Sequence, residues 1–121
     1  MTENFDQDII PFIKAVTSKK AMDVVALDVQ DLTSYTDYLI VAGGASTRQV
    51  SALAENIKKE ILQVGIKPLS IEGLKEGQWV LMDYGNVIIH IFIEETRAFY
   101  DIEGLWADAK KISIDSYIQE D

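Results

Sequence analysis

The residues best placed to do chemistry are two glycines and a serine, Gly43, Gly44 and Ser46, which directly precede an amphipathic segment. Glycines at the start of a helix let backbone N–H groups approach an anion, so this spacing could bind a phosphate group. The segment has neither the GxGxxG pattern of dinucleotide-binding proteins nor the lysine of a P-loop. The hypothesis of a nucleotide-binding or nucleotidyl-transferring enzyme therefore depends on these two glycines and the serine alone.

Nucleotidyl transfer also needs a pair of carboxylates that hold metal ions close to such a turn. Glu55 stands in the following helix without a second carboxylate one residue away, and Asp28 and Asp31 lie elsewhere in the chain. The alternative, which we favour, is a tight strand-to-helix turn closed by a capping box. In a capping box the Ser46 and Gln49 side chains each satisfy one backbone N–H group.

The remaining composition offers little for catalysis. The chain has no cysteine, which excludes thiol catalysis, disulfides and Cys-ligated zinc. Its one histidine, His90, could bind a metal only together with carboxylates, and no spacing marks such a site. His90 is therefore either a contact on a recognition surface or, as we favour, a hydrogen-bonded side chain in the core. We predict a protein that is not an enzyme and uses neither a metal nor a cofactor.

Acidic residues are concentrated between residues 71 and 108. This stretch holds eight carboxylates against Lys75 and Arg97, which is −6 of the total net charge of −9. So acidic a chain is repelled by phosphate backbones, which argues against binding of nucleic acid, whereas a basic protein partner is attracted. The alternative is that the acidity only maintains solubility.

A chain of 121 residues, 48% hydrophobic and 26% charged, is long enough for one globular domain over residues 1–121. It has no run of roughly 18 apolar residues, so no membrane segment is expected. Its acidic first residues are unlike a signal peptide, and together with the missing cysteines this favours a cytoplasmic protein.

Apolar periodicity predicts helices at residues 6–19, 46–64 and 94–109, and strands at residues 23–29, 38–42, 68–73, 78–83 and 87–93. The strand at 68–73 is expected to lie parallel to the strand at 38–42 through a right-handed crossover. Residues 110–121 are expected to form a loosely packed tail. The prediction is an α/β (or α+β) domain with a mixed five-stranded sheet and flanking helices.

The predicted hairpin at 78–93 has two unlike faces. Whether the two turn residues are 84–85 or 85–86, the two residue numbers of each cross-strand pair sum to an odd value. This odd sum determines which side chains of the two strands lie on the same face. One face is wholly aliphatic and must belong to the core. The other is either a recognition surface or a second core layer, and it carries Trp79, Leu81, Asp83, Ile88, His90 and Phe92.

The predicted last helix carries one apolar stripe, formed by Ala98, Phe99, Ile102, Leu105, Trp106 and Ala109. Tyr100 lies roughly 160° from the centre of this stripe. Either another element or a partner must therefore cover Tyr100. A tyrosine suits a partner because its ring is apolar while its hydroxyl stays hydrated.

Three ordered segments resemble the Iojap family, the ribosomal silencing factors: LDVQDLTSYTDYLIVAGGASTRQV, GIKPLSIEG and GQWVLMDYGNVIIHIFIEETRAFYDIEGLW. The resemblance runs from about residue 21 to residue 108. It implies a nucleotidyltransferase-like topology without catalysis. It also implies binding to the large ribosomal subunit through its protein L fourteen, a basic protein on the face that meets the small subunit.

Occupation of that face would block subunit joining, repress translation and assist late maturation of the large subunit. The resemblance further implies homodimers away from the ribosome, and no membrane or nucleic-acid partner is expected beyond incidental contact with ribosomal RNA. A plain homodimer, paired through the mixed face of the hairpin, is a third possibility beside the ribosomal factor and the enzyme.

The resemblance implies a contact surface around Trp79 of GQWV and Tyr100 of AFYD. The other implied contacts are, in a second rank, Asp83, His90, Glu94, Arg97 and Asp101, while Leu105 and Trp106 are either contact or core residues.

Overall fold

The computed structural model describes residues 7–115 as a mixed six-stranded sheet with helices packed on it. After a 3₁₀ turn at Gln7–Ile9 the elements are α1 (Ile10–Thr17), β1 (Met22–Asp28), β2 (Tyr38–Gly44), α2 (Thr47–Gln63), β3 (Ser70–Glu72), β4 (Trp79–Asp83), β5 (Val87–Ile93), α3 (Glu94–Tyr100), α4 (Ile102–Leu105) and β6 (Lys110–Ile112). The predicted α/β class is confirmed. Within the described range, no helix combines the length and the apolar character needed to cross a membrane.

The strand order across the sheet is β3-β4-β5-β2-β1-β6. The central pair, β2 and β5, is parallel, and all other neighbouring strands are antiparallel. Every residue of β2 is buried, and so is every residue of β5 except its last. Continuous apolar burial is typical of central strands that are covered on both faces.

Two predictions about the strands were wrong. β3 pairs antiparallel with β4 at an edge of the sheet rather than parallel with β2. Its three residues are mostly exposed, which suits an edge, and the more apolar β5 takes the place beside β2. A sixth strand, Lys110–Ile112, pairs with β1 where a loose tail was predicted, and Ile114 is buried just after it. Residues 116–121 of that predicted tail lie outside the described residues.

α1 and α2 cover one face of the sheet and enclose the main core. The sequence predicts an apolar stripe on the second helix formed by Val50, Leu53, Ala54, Ile57, Ile61 and Val64. The first five are buried as predicted, whereas Val64, at the end of α2, is 56% exposed. The aliphatic face of the hairpin lies in the same core, with Val80, Met82, Ile89 and Ile91 fully buried. The paired residues of β4 and β5 have the odd sums that the sequence predicted.

The opposite face of the sheet has a smaller apolar cluster of Leu27, Val29, Leu39 and Ile88. Trp106, which follows α4, packs against this cluster together with Ala109. Ile88 and Leu81 of the mixed hairpin face therefore belong to a second core layer, which is one of the two alternatives that the sequence left open for this face. Toward the end of β5 the same face carries His90 and Phe92, where the candidate surface begins.

The predicted single helix over residues 94–109 is wrong because the chain breaks at Asp101. The backbone of Asp101 is left-handed, with φ at +47°, a conformation that Asp tolerates better than most residues. Its N–H donates to the Arg97 carbonyl and ends α3, while its carboxylate accepts from the Gly104 N–H and begins α4. The break also separates the predicted apolar stripe, so that Phe99 and Leu105 are exposed.

Candidate functional site

A row of aromatic rings runs from the sheet to the surface near the end of β5. This aromatic row consists of His90, Phe92, Trp79, Tyr100 and Phe99. The centroid of the Trp79 ring lies 5.0 Å from that of Phe92 and 5.8 Å from that of His90. The Trp79 ring centroid also lies 4.5 Å from that of Tyr100, whose ring meets Phe99 edge-on at 5.0 Å.

The rings of the aromatic row become more exposed from the sheet outward. Phe92 is fully buried and Trp79 is partly buried, whereas Tyr100 is 46% exposed and Phe99 is 80% exposed. Tyr100 is thus covered on one side by Trp79 and open on the other. Large rings that are anchored at one end and accessible at the other are typical centres of protein–protein contacts, because they bury much area with little loss of side-chain entropy.

His90 belongs to the interior of the aromatic row. It is only 7% exposed, and the Trp79 Nε1–H donates a hydrogen bond of 3.0 Å to its Nδ1 atom. Burial lowers the pKa of His90 from 6.5 to about 4, so the imidazole is neutral near pH 7. Because Nδ1 accepts, the proton of the neutral ring sits on Nε2. The favoured prediction of a hydrogen-bonded interior histidine is confirmed.

The two glycines that suggested phosphate chemistry are the last residues of β2, not a turn after it. They pair with Phe92 and Ile93 of β5. A Cβ atom on Gly44 would lie 2.9 Å from the Val50 side chain, so the close approach of α2 to the strand requires glycine there. Packing of the helix on the strand is therefore a sufficient reason for Gly44.

Two of the backbone N–H groups after β2, those of Ala45 and Gln49, are already hydrogen-bonded to side chains. The Gln49 N–H donates to the Ser46 Oγ at 3.1 Å, which confirms the predicted N-cap. The Gln49 side chain accepts from the Ala45 N–H, one residue earlier than in a standard capping box. Within residues 7–115, no group of three or more His, Cys, Asp or Glu side chains is arranged to hold a metal ion.

The sequence model of the family described as "ribosomal silencing factor during starvation" (RsfS) matches residues 2–121. The chain belongs to the RsfS family. The ribosomal silencing factor of Halalkalibacterium halodurans is 37% identical over 88% of this chain and 91% of its own length. The Bacillus subtilis factor is 38% identical over 84% of this chain and 86% of its own length. The resemblance found in the sequence is confirmed.

Two crystal structures show the same fold. A protein from Chromobacterium violaceum has a TM-score of 0.80 and 39% identity, covering 88% of this chain and 89% of its own. A protein from Bacillus halodurans has a TM-score of 0.78 and 34% identity, covering 89% and 99% of the two chains. A more distant relative, the mouse protein named mitochondrial assembly of ribosomal large subunit protein 1, is 30% identical, and the match covers 45% of its length.

The other predicted contact residues of this RsfS-family chain differ in their exposure and in the bonds that they make. Glu94 and Leu105 are exposed close to the aromatic row in sequence. Asp83 instead accepts a 2.8 Å hydrogen bond from the Gly85 N–H in the hairpin turn, and Asp101 caps α4 although it is exposed. Trp106 is partly buried on the second cluster, so the structure places it in the core.

Arg97 joins three parts of the chain rather than facing solvent. Its side chain is 14% exposed, and its Nε and Nη2 atoms donate to the two carboxylate oxygens of Glu103 at 2.9 and 3.0 Å. Nη2 also donates to the Asp23 carbonyl at 2.8 Å. The hydrogen bond from Arg97 holds the pKa of the Glu103 carboxyl below its usual range. Arg97 therefore ties α3 to α4 and to the start of β1.

Replacing Arg97 with methionine is expected to lower the free energy of unfolding by about 2 kcal/mol, because its charged hydrogen bonds to Glu103 of α4 and to the start of β1 are lost together. Urea unfolding followed by circular dichroism measures the change. The matched control is Arg48→Met on the exposed first turn of α2, for which we expect a change below about 0.5 kcal/mol. If the two substitutions lower the free energy of unfolding equally, the hydrogen bonds of Arg97 do not stabilise the junction of α3, α4 and β1.

Phe99 is the residue of this surface that the sequence interpretation missed. The apolar periodicity predicts Phe99 in the buried stripe of a continuous helix, yet its side chain is 80% exposed. The available signal was Asp101 three residues before Gly104, the spacing of an N-cap side chain and the N–H that it accepts from. Because a new helix begins at Asp101, Phe99 and Leu105 belong to different helices and do not lie on one apolar stripe.

Proposed function

We propose that this protein is a non-catalytic factor that binds the large ribosomal subunit through its protein L fourteen and represses translation in the cytoplasm. By occupying the face that meets the small subunit, it prevents subunit joining. The same binding assists late maturation of the large subunit. Membership of the silencing-factor family supports the first role, and the name of the mouse relative, which refers to assembly of the large subunit, supports the second.

The observation that carries the proposal is the exposed end of the aromatic row beside a group of carboxylates. Tyr100, Phe99 and Leu105 are 46%, 80% and 74% exposed within seven consecutive residues. Such a concentration of accessible apolar area on a small protein marks an interaction site. The exposed carboxylates around it, which attract a basic partner, are Glu94, Glu95, Asp101 and Asp108.

The mechanism needs no covalent step. The apolar rings supply the buried centre of the contact, and the carboxylates at its rim steer the basic partner and fix its orientation. Once bound, the sheet and its helices fill the volume that the small subunit requires. Repression then depends on occupancy alone.

Tyr100→Ala is expected to weaken binding to purified large subunits about thirtyfold, since truncation of a central interface aromatic typically removes about 2 kcal/mol. Co-sedimentation measures the affinity, and sucrose gradients measure the block to subunit joining. The double variant Trp79→Ala/Tyr100→Ala should lose both activities. The matched control is Tyr35→Ala, because Tyr35 is 66% exposed just before β2, at the opposite end of the parallel strands.

If the folded Tyr100 variants bind and block subunit joining as wild type does, this surface is not the contact. If the Tyr35 control loses binding to the same extent as Tyr100→Ala, the contact lies elsewhere or is not specific to the aromatic row.

Glu95→Lys should slow association with the large subunit several-fold and flatten its dependence on salt, because an exposed carboxylate of α3 acts through long-range attraction. Stopped-flow binding at several salt concentrations tests this expectation. Glu55→Lys, an equal charge change on the exposed side of α2, is the control and should change the rate less. Identical rates and salt slopes for both variants would rule out steering by the α3 carboxylates.

The free protein is proposed to form a homodimer through the same surface, so that self-association and ribosome binding compete. The exposed apolar rings of the aromatic row support this part of the proposal, since they would otherwise stay in contact with water. Analytical ultracentrifugation of wild type and Tyr100→Ala distinguishes a dimer that dissociates on loss of the ring from a surface used only by the ribosome.

A further inference from the structure

We infer that His90 is a positioning residue for this surface: its Nδ1 atom fixes the Trp79 indole, and with it the exposed rings, in the orientation that the partner meets. The inference rests on the proposed function, because it assumes that the exposed end of the aromatic row is the docking surface. His90 itself makes no direct contact in this role. Its part is to hold the ring that the contact is built on.

His90 is well suited to act as a fixed point. It lies in the central strand β5, opposite Val41 of β2 on one side and Leu81 of β4 on the other. Its backbone is therefore held in a ladder from both sides, and its side chain is 93% buried, being 7% exposed. A neutral imidazole in this place presents an acceptor that has little freedom to move.

Trp79 needs such a fixed point because its backbone is paired with a neighbouring strand on one side only. It pairs with Phe92 of β5, but the paired residues of β3 stop at Glu72, opposite Leu81. Stacking on Phe92 at an interplanar angle of 29° limits the tilt of the indole, but stacking alone does not determine which edge of the indole faces inward. The hydrogen bond from Nε1–H to Nδ1 determines it, because the indole has a single N–H donor that points in one direction.

The orientation of the indole is passed to the exposed rings. Tyr100 rests on Trp79 with a centroid distance of 4.5 Å, and Phe99 meets Tyr100 edge-on. Because the indole N–H is already bonded within the protein, Trp79 offers the partner only apolar ring surface. Rings that are held in place before binding lose less conformational freedom when the partner arrives, which strengthens the complex.

Two substitutions of His90 separate its hydrogen bond from its volume. His90→Phe keeps an aromatic ring but removes the acceptor, whereas His90→Asn loses the ring but places an amide oxygen close to the position of Nδ1. In His90→Phe we expect the Trp79 indole N–H signal in nitrogen-15 NMR spectra to move and its hydrogen exchange to quicken at least tenfold. Binding to large subunits should weaken about tenfold, and both effects should be restored to within about threefold of wild type in His90→Asn.

The indole signals are assigned with Trp106→Phe, and circular dichroism confirms that each variant is folded. Should His90→Phe not fold, His90→Leu removes the acceptor in the same way and carries the same expectation. If a folded variant without the acceptor keeps the wild-type indole signal, exchange rate and affinity, the inference is wrong. It is also wrong if the indole signal changes while affinity does not.

Failure of the proposed function has a different signature. Wild-type protein would then show no specific binding to large subunits, and Tyr100→Ala would have no effect on them. The indole measurements use the free protein, so they decide whether Nδ1 orients Trp79 whatever the ribosome assay gives. An oriented indole in a protein that does not bind the subunit would overturn the docking role of His90 together with the proposed function.

Discussion

Gly73→Ala is expected to lower the free energy of unfolding by about 3 kcal/mol or more, which is a large part of the stability of a small domain. Gly73 has a φ of +81°, where a Cβ atom adds about 1–2 kcal/mol of strain. The added Cβ would also overlap the backbone carbonyl oxygen of Trp79. That oxygen cannot move aside without shifting the first residue of β4, and forced displacement in a packed region costs a further 1–3 kcal/mol or so.

Gly65→Ala is the matched control for this prediction. Gly65 follows α2 with a φ of +86°, and a Cβ built there has no atom within 4 Å. Its substitution therefore carries only the conformational strain, about 1 kcal/mol. Urea unfolding of both variants gives the difference between them, which is the contribution of the close approach to Trp79. If both variants lose the same free energy of unfolding, the loop before β4 accommodates the added methyl group without an energetic cost.

The Gly73 contact connects stability to the proposed site. The glycine lies in the connection between β3 and β4 and packs on the backbone of Trp79, while His90 holds the indole of the same residue. Trp79 is thus constrained from its main chain and from its side chain. Any Gly73→Ala protein that remains folded should bind the large subunit less tightly than Gly65→Ala does.

The parts of the fold that could be predicted from the sequence are those governed by short-range periodicity. The hairpin parity depends only on the alternation of side chains along paired strands, so the sequence alone predicts that Trp79 and His90 share a face. The second helix was equally well defined, since Ser46 begins it and Gly65 follows its end. Local rules of this kind do not require knowledge of which strands are neighbours.

The parts that could not be predicted depend on long-range pairing and on single-residue breaks. The exposed three-residue β3 has too little pattern to reveal its partner, and β6 is stabilised by pairing with β1 rather than by its own sequence. The interior role of Arg97 depends on carbonyl groups of residues 22 and 23, which lie 75 and 74 positions away. Asp101 broke a helix whose apolar periodicity continued through it, and this placed Phe99 wrongly in the core.

The free energy of unfolding is expected to depend strongly on pH, and the direction of this change follows from the pKa of His90. The folded-state pKa is lowered to about 4, while the unfolded chain has the ordinary value of 6.5. Between these values the unfolded state binds a proton that the folded state does not, so the free energy of unfolding falls as the pH falls. Over the full interval the loss is about 3 kcal/mol, and above pH 6.5 His90 contributes no further change.

This loss should be absent in His90→Asn, which has no group that titrates in the interval. Urea unfolding of both proteins at pH 7.5, 6.5, 5.5 and 5.0 measures it, and the difference between the two curves removes the carboxylates that they share. The sheet partners of His90 are Val41 and Leu81, and the rings in contact with it are Trp79 and Phe92; none of these four side chains titrates in the interval. Parallel curves would mean that His90 takes up its proton without unfolding, in which case burial does not hold it neutral and its Nδ1 is not reserved for Trp79.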